Sequence, residues 1–180
     1  VQGYSISGNV QTHWGVPMEE IRVEIGGGTS GFVLTDSLGN FEFVNVPVGG
    51  NYSIKPIHDH NDLNGVTTYD LVLISKHILG IEALNSPWKM VAADANQSGS
   101  ITTFDIVETR KVILGINPNF PANTSWRFLP AYTIFGDPAN PFMGGLPPDN
   151  ISINNLQANY SGASFKGIKV ADVNNTAIGN

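Results

Sequence analysis

The chain has 180 residues, no cysteine and a formal net charge of −6 at neutral pH, from 9 basic and 15 acidic residues. A negatively charged chain is a poor partner for nucleic acid, and no stretch of this one is apolar enough to insert into a membrane. The lack of cysteine excludes disulfides and thiolate metal sites, so any metal must be held by oxygen or histidine, and oxygen ligands favour calcium.

Residues 1–57 are predicted to form a small β-domain. Short runs rich in β-branched and aromatic residues are separated by Gly-rich turns, at 4–10, 21–25, 31–35, 40–44 and 52–57. Alternation places Ile21, Val23 and Ile25 on one face, as a half-buried strand requires. The segment resembles carboxypeptidase regulatory-like and transthyretin-like domains, through the strings T-D-S-L-G-N-F-E-F, N-V-P-V-G and Y-S-I. This resemblance implies a β-sandwich without catalytic residues.

A repeat follows the β-domain. Residues 59–81 align without a gap to residues 94–116, offset by 35 positions, and both copies end in I-L-G-I. Apolar residues recur at helical spacing in each copy, which predicts two amphipathic helices that pack against each other. The residues expected on the buried faces are Leu71, Val72, Ile74, Ile78 and Leu79, and Ile106, Val107, Ile113 and Leu114. Gly80 and Gly115 are expected to end the helices in the left-handed conformation.

Loop two, residues 94–105, has the ligand spacing of a twelve-residue calcium loop. Oxygen ligands are expected at positions one, three, five, seven and twelve, from Asp94, Asn96, Ser98, the carbonyl group of Ser100, and Asp105. Gly99 at the sixth position permits the sharp turn that brings these oxygens together. A cluster of Asp, Asn, Ser and Gly before a helix is also a common N-cap and turn. The in-register duplication favours calcium over this alternative.

Loop one, residues 59–70, is less regular. Its corresponding positions are Asp59, Asn61, Leu63, the carbonyl group of Gly65, and Asp70. Leu63 offers no side-chain ligand, although Asp62 beside it is available. Asn64 takes the place of glycine at the sixth position, and asparagine tolerates the left-handed conformation. We expect two bound Ca²⁺ ions, with loop two the tighter site. A third D-x-N string, at Asp172 and Asn174, lacks the rest of a loop.

The duplicated loops, each closed by Asp and followed by one helix, make residues 59–116 resemble a dockerin, the calcium-binding module that docks onto cohesin domains. The apolar stretch 91–93 is too short for the entering helix of a full EF-hand. The resemblance implies a protein partner, either a cohesin-like domain or another domain of the same parent protein. It implies partner contacts from Thr68, Tyr69, Ser75 and Lys76, and from Thr103, Phe104, Arg110 and Lys111. Tyr69 and Phe104 are bulkier than the hydroxyl residues usual in dockerins, and the chain is most similar to dockerin-like segments of large secreted proteins of Bacteroidetes-type bacteria.

Residues 118–180 contain two further strand-like runs, 151–156 and 164–173, which either extend the β-domain or cover the helices. The predicted fold class is α+β in three parts: a small β-sandwich at 1–57, a dockerin-like pair of calcium loop-helix motifs at 58–117, and a β or irregular extension at 118–180. A charged fraction of only 13% favours a secreted or cell-surface location.

The predicted function is that of a non-catalytic, calcium-binding structural and docking module. The sequence contains no nucleophile elbow and no H-E-x-x-H motif, so we do not expect an enzyme. One alternative is an accessory region of a carbohydrate-active enzyme or peptidase. Another is a carbohydrate-binding adhesin module that uses Trp14.

Overall fold

The computed structural model describes residues 3–179; Val1, Gln2 and Asn180, at the outer ends of the first and third predicted segments, lie outside this range. The described residues form a mixed α+β fold with two four-stranded sheets and three short helices. The strands are β1 (Gly3–Thr12), β2 (Arg22–Gly27), β3 (Gly31–Leu34), β4 (Asn40–Pro47), β5 (Tyr52–Ile57), β6 (Trp126–Pro130), β7 (Ile151–Ile153) and β8 (Phe165–Lys169). The helices are α1 (Thr68–Ile78), α2 (Pro87–Ala93) and α3 (Thr103–Ile113). No helix in this part of the chain has the length and apolar character needed to cross a membrane.

The two sheets pack face to face around one apolar core. The first has the strand order β4-β1-β8-β6 and the second β3-β2-β5-β7. Neighbouring strands are antiparallel except β1 and β8, which run parallel with Val10 opposite Phe165. Alternate residues point inward, so Phe41 and Phe43 of β4 share the core with Val23 of β2.

Residues that follow the helices complete both sheets. Strands β6 and β8 belong to the first sheet, and β7 forms an edge of the second, paired with β5. The same part of the chain also covers the helices, because Leu129, Ile168 and Val173 form a second apolar cluster with Ile74 of α1. The helical segment is therefore an insertion between β5 and β6 that packs on the sandwich.

The two repeat helices begin and end in the same way. Thr67 is the N-cap of α1 and Thr102 the N-cap of α3, and in each case the Asp three residues later closes a reciprocal capping box. At the C-terminal ends Gly80 and Gly115 have φ angles of 68° and 69°. This confirms the predicted left-handed glycine caps.

The buried faces of these helices are narrower than their periodicity predicts. Ile74 of α1 is fully buried, but Val72 and Leu79 are 47% and 70% exposed. In α3, Val107 and Leu114 are 44% and 65% exposed. The expectation that these four residues pack inward is wrong, because each helix covers the sandwich with one side and leaves the other side to solvent.

A short helix precedes loop two, where the sequence predicted none. Ser86 is the N-cap residue of α2, and Pro87 supplies a backbone already suited to the first turn. Residues 90–93 are buried together with Ile168 of β8. The prediction was wrong because a seven-residue helix, unstable by itself, is stabilised here by tertiary burial. Loop two is thus flanked by helices on both sides, whereas loop one follows a strand.

Candidate metal centre

Loop two is folded around the carboxylate of Asp94. The amide of Ser98 donates to its Oδ1 at 2.8 Å, and the amide of Gly99 donates to its Oδ2 at 2.9 Å. Two left-handed residues, Gln97 with φ 56° and Gly99 with φ 77°, turn the chain back on itself. Asp94 is only 1% exposed, so its carboxylate is fixed inside the turn.

The predicted oxygen ligands of loop two lie close together. The Oγ of Ser98 is 3.4 Å from Asp94 Oδ1 and 3.2 Å from the carbonyl oxygen of Ser100. Oxygens that bind one calcium ion at 2.3–2.6 Å, at roughly right angles to each other, are separated by about 3.2–3.7 Å. Asn96 is on the same turn, where its Oδ1 accepts from the Ser98 amide at 3.1 Å. The structure therefore brings positions one, three, five and seven of the loop together.

Asp105 closes loop two from the first turn of α3. Its Oδ2 accepts from the Thr102 amide at 2.7 Å and its Oδ1 from the Asn96 amide at 3.2 Å. The side chain is fully buried, and this burial raises the pKa of Asp105, with the neighbouring Asp94 carboxylate adding to the rise. A cation between the two carboxylates would offset both effects. The N-cap and turn alternative accounts for the hydrogen bonds of both residues, because Asp105 closes the capping box and Asp94 accepts the amides of the turn.

Loop one does not repeat this arrangement with its own residues. The Oδ1 of Asp59 accepts at 2.8 Å from a backbone amide just before β6, and not from the amides four and five residues later as Asp94 does in loop two. The left-handed residues are Asn61, with φ 57°, and Gly65, with φ 73°. Leu63 is 49% exposed. The predicted ligands Asp59, Asn61 and Leu63 therefore lack the geometry of positions one, three and five in loop two.

Asn64 does not adopt the left-handed conformation that asparagine tolerates, and its side chain binds the C-terminal segment. Its Nδ2 donates to the carbonyl oxygen of Ile178 at 2.6 Å, and the Ile178 amide donates to its Oδ1 at 3.0 Å. Asn64 therefore pins the end of the chain against loop one, while Gly65 makes the turn.

Asp70 also faces the C-terminal segment. Its Oδ2 accepts from the amide of the N-cap residue Thr67 at 2.8 Å, and its Oδ1 accepts from the amide of Val173 at 3.0 Å. The buried ammonium group of Lys169 lies nearby and donates to the carbonyl oxygen of Asp62 at 2.8 Å. Burial lowers the pKa of Lys169 to about 8, against the opposing effect of the surrounding Asp residues. Residues after β8, which the sequence prediction left out of the calcium sites, thus pack on loop one.

The outward side of α1 and α3 is apolar and carries the repeat. We call it the paired face, and it consists of Tyr69, Val72, Leu79 and Ile81 with their counterparts Phe104, Val107, Leu114 and Ile116. The exposed fractions of the pairs are 57% and 70%, 47% and 44%, 70% and 65%, and 69% and 65%. Because the members of each pair are 35 positions apart, both copies of the repeat present the same positions to solvent, with identical residues in all pairs except Tyr69 and Phe104.

A groove of about 430 Å³ runs between the two helices on this face. Its walls are formed mainly by Leu71, Val72 and Leu79 of α1 and by Ile113 and Leu114 of α3. The groove is apolar and open to solvent at both helices.

The predicted partner-binding residues lie along the groove or beside it. Thr68, Ser75, Lys76 and Arg110 line the groove, and Tyr69, Thr103 and Phe104 are exposed next to it. Lys76 is paired with Glu82 and Lys111 with Glu108, each at 2.8 Å and at the surface. Exposed pairs of this kind contribute little, so both cations remain available to a partner.

Trp14 is not a free stacking platform. The side chain is partly buried against the sandwich core, in edge-to-face contact with His13 at 4.8 Å between ring centroids. A second ring, that of Trp126, lies 6.2 Å away. These contacts occupy much of the indole surface, which counts against a carbohydrate site at this position.

A separate cavity of about 570 Å³ lies beside β5 and β6 and includes His58 and Arg127 in its lining. Lys55 and Asp149, also in the lining, form an ion pair at 2.7 Å. Burial lowers the pKa of His58 to about 4, so this imidazole is neutral at physiological pH.

Comparison of the chain with protein-family models, with curated proteins and with solved structures found no match. Among residues 3–179, no three His, Cys, Asp or Glu side chains meet in a group that could hold a metal ion. A metal site in either loop would therefore need amide, hydroxyl and main-chain oxygens in addition to carboxylates.

Proposed function

We propose that this chain is a non-catalytic, calcium-binding docking module of a secreted or cell-surface bacterial protein. In this proposal calcium orders the two loops at the starts of α1 and α3, and the paired face binds another protein domain. The observation that carries the proposal is the convergence of the Ser98 and Ser100 oxygens on the buried carboxylate of Asp94, in a loop that the buried Asp105 closes.

Calcium would act as a staple between loop two and α3. The ion would join the opening turn, held by Asp94, to the closing carboxylate of Asp105, and it would compensate two buried negative charges. Because the unfolded chain has no such site, the binding free energy would add to the stability of the fold.

The paired face supports the docking part of the proposal. Single exposed apolar side chains are normal on protein surfaces, but a contiguous apolar surface usually marks an interaction site. Here large apolar residues are exposed at four equivalent positions in each copy of the repeat, beside an apolar groove. The cations Lys76, Arg110 and Lys111 lie beside it, so we expect a partner with an apolar centre and an acidic rim.

A binding experiment tests both parts together. The purified chain is immobilised and titrated, in calcium and in chelator, with a cohesin domain and separately with the domain that adjoins this chain in its parent protein. We expect one of the two probes to bind in calcium and to be released by chelator. The double variant Leu79→Lys and Leu114→Lys should abolish this binding.

Ile134→Lys is the matched control, because Ile134 is 92% exposed and lies outside the paired face. This variant should bind like the unmodified protein. If neither probe binds in calcium, or if the double variant binds as well as the control, the docking function is refuted.

A further inference from the structure

The segment after β8 repeats the opening half of loop two. Asp172, Asn174 and Thr176 have the same spacing as Asp94, Asn96 and Ser98, with a hydroxyl residue at the fifth position in both cases. In sequence this similarity ends at the sixth position, where Ala177 takes the place of Gly99.

The backbone of this segment also matches loop two. The amides of Thr176 and Ala177 donate to the two carboxylate oxygens of Asp172, at 3.2 and 2.7 Å. These amides lie four and five residues after the carboxylate, as those of Ser98 and Gly99 do in loop two. The fourth residue is left-handed in both turns, Asn175 with φ 63° and Gln97 with φ 56°.

Loop one brings the equivalents of the later positions of loop two next to this segment. The hydroxyl group of Thr176 donates to the carbonyl oxygen of Gly65 at 3.0 Å, across 111 residues of sequence. In loop two the equivalent bond joins Ser98 Oγ to the carbonyl oxygen of Ser100 at 3.2 Å. Asp70 follows Gly65 at the same interval at which Asp105 follows Ser100, and its Oδ1 accepts from the amide next to Asp172.

A buried side-chain oxygen without a partner points to a ligand at this place. The Oδ1 of Asn174, at the third position, is buried and accepts no hydrogen bond from the described residues, and the same is true of Asn175. Buried carbonyl oxygens are nearly always satisfied by a donor or an ion. The nearby carboxylates of Asp70 and Asp172 are both fully buried. An acceptor-only set of this kind suits a hard cation.

The local charge leaves room for a divalent ion. Lys169 is a buried cation in this region, and four carboxylates act on it, those of Asp59, Asp62, Asp70 and Asp172. Its ammonium group donates to the Asp62 carbonyl oxygen, so this hydrogen bond goes to the first part of loop one. One ammonium group leaves most of this negative charge uncompensated.

We propose that Asp172, Asn174, Thr176, the Gly65 carbonyl group and Asp70 form a split calcium site, which replaces the contiguous loop one as the second site of the chain. This inference rests on the proposed calcium binding. The split site has the same kinds of ligand, in the same order, as loop two. It also gives loop one the fifth-position oxygen that Leu63 does not offer, and it ties the C-terminal segment to α1.

Ion counting by native mass spectrometry and titration calorimetry tests this assignment on the full chain. The unmodified protein should bind two calcium ions. Thr176→Val removes one exposed ligand oxygen while keeping the shape of the side chain. It should lower the affinity for one of the two ions by about tenfold or more. Asp172→Asn should remove that ion altogether. Asp105→Asn should remove the other ion, bound in loop two.

Two variants of the contiguous loop are the controls. Asp59→Asn removes the negative charge of its first ligand, and Leu63→Ser supplies the oxygen that the loop lacks. Neither should change the number or affinity of the ions if the split site is the true one. Because Leu63 and Thr176 are both exposed, the protein should fold with either substitution.

The possible failures are distinguishable. Loss of an ion in Asp59→Asn, or tighter binding in Leu63→Ser, would overturn the split site in favour of the contiguous loop. A single ion that disappears in Asp105→Asn would also overturn it while leaving calcium binding intact. An unmodified chain that binds no calcium would refute the proposed function as well.

Discussion

His58 should make the metal-free protein sensitive to acid. The side chain is 7% exposed, and burial, together with the nearby His60 and Lys169, lowers the pKa of its imidazole from 6.5 to about 4. Above pH 6.5 neither the folded nor the unfolded chain is protonated at His58, so the neutral, buried imidazole costs the folded state no stability there. As the pH falls towards 4, the unfolded chain takes up a proton that the folded chain does not. The difference between the two pKa values corresponds to at most about 3 kcal/mol.

The His58→Phe variant isolates this contribution, because it keeps a ring of similar size and removes the titration. We expect urea unfolding in chelator to show that, between pH 7 and pH 4.5, the free energy of unfolding falls by about 2–3 kcal/mol more in the unmodified protein than in this variant. His60→Phe, at the exposed neighbour whose charge adds to the lowering, should lose less than the unmodified protein but more than His58→Phe. Parallel losses in the unmodified protein and His58→Phe would refute the assignment of a neutral, buried imidazole.

Three further predictions concern the helices and loop two. Ile74→Ala should lower the free energy of unfolding by about 2–5 kcal/mol, and Leu79→Ala by less than about 0.5 kcal/mol, in urea titrations. Equal costs would mean that the paired face is covered in solution. Gly99→Ala should weaken calcium binding in calorimetry, because a Cβ is strained at φ 77°, whereas Gly136→Ala should leave it unchanged. Thr102→Ala should cost about 1 kcal/mol in thermal unfolding by removing the N-cap, and no loss would contradict the observed capping box.

The strands of residues 1–57 were readable from the sequence because their signals are local. Alternating residues such as Val23 and Ile25 in β2, and turns such as D-S-L-G-N, define strands wherever they occur. The runs that form β7 and β8 were predicted as strands, but their partners in the sheets were not readable. Strand β8 pairs with β1 across more than 150 residues, as at Val10 and Phe165, and β7 has only three residues. Such pairings depend on tertiary packing and leave no periodic pattern that names the partner strand.

The helices show a different limit. Periodicity located both of them and their glycine caps, because these features depend on neighbours within one or two turns. It did not show which apolar residues are covered. Leu71 and Leu79 fit the same helical pattern, yet only Leu71 is buried, since coverage depends on where the sandwich lies.

The two loops show how far a motif can be read. The oxygens of loop two meet as their spacing predicts, because all of its residues are contiguous. Loop one was interpreted from its own residues alone, and Leu63 at the fifth position remained without an explanation. The signal for an alternative was present in the D-x-N string at Asp172 and Asn174, with Thr176 two residues later. Only the fold brings this string beside Asp70, about 100 residues away in sequence.

Calcium-dependent stability tests the central claim most directly. Protein verified as metal-free is melted in chelator and in calcium at about a hundredfold excess over the dissociation constant. One ion bound only by the folded state then adds about 2.7 kcal/mol to the free energy of unfolding. For a chain of this size this raises the thermal midpoint by roughly 5–10 °C. We predict such a rise, and a smaller one in Asp105→Asn. Superimposable melting curves with and without calcium would contradict the proposal that calcium holds this fold together.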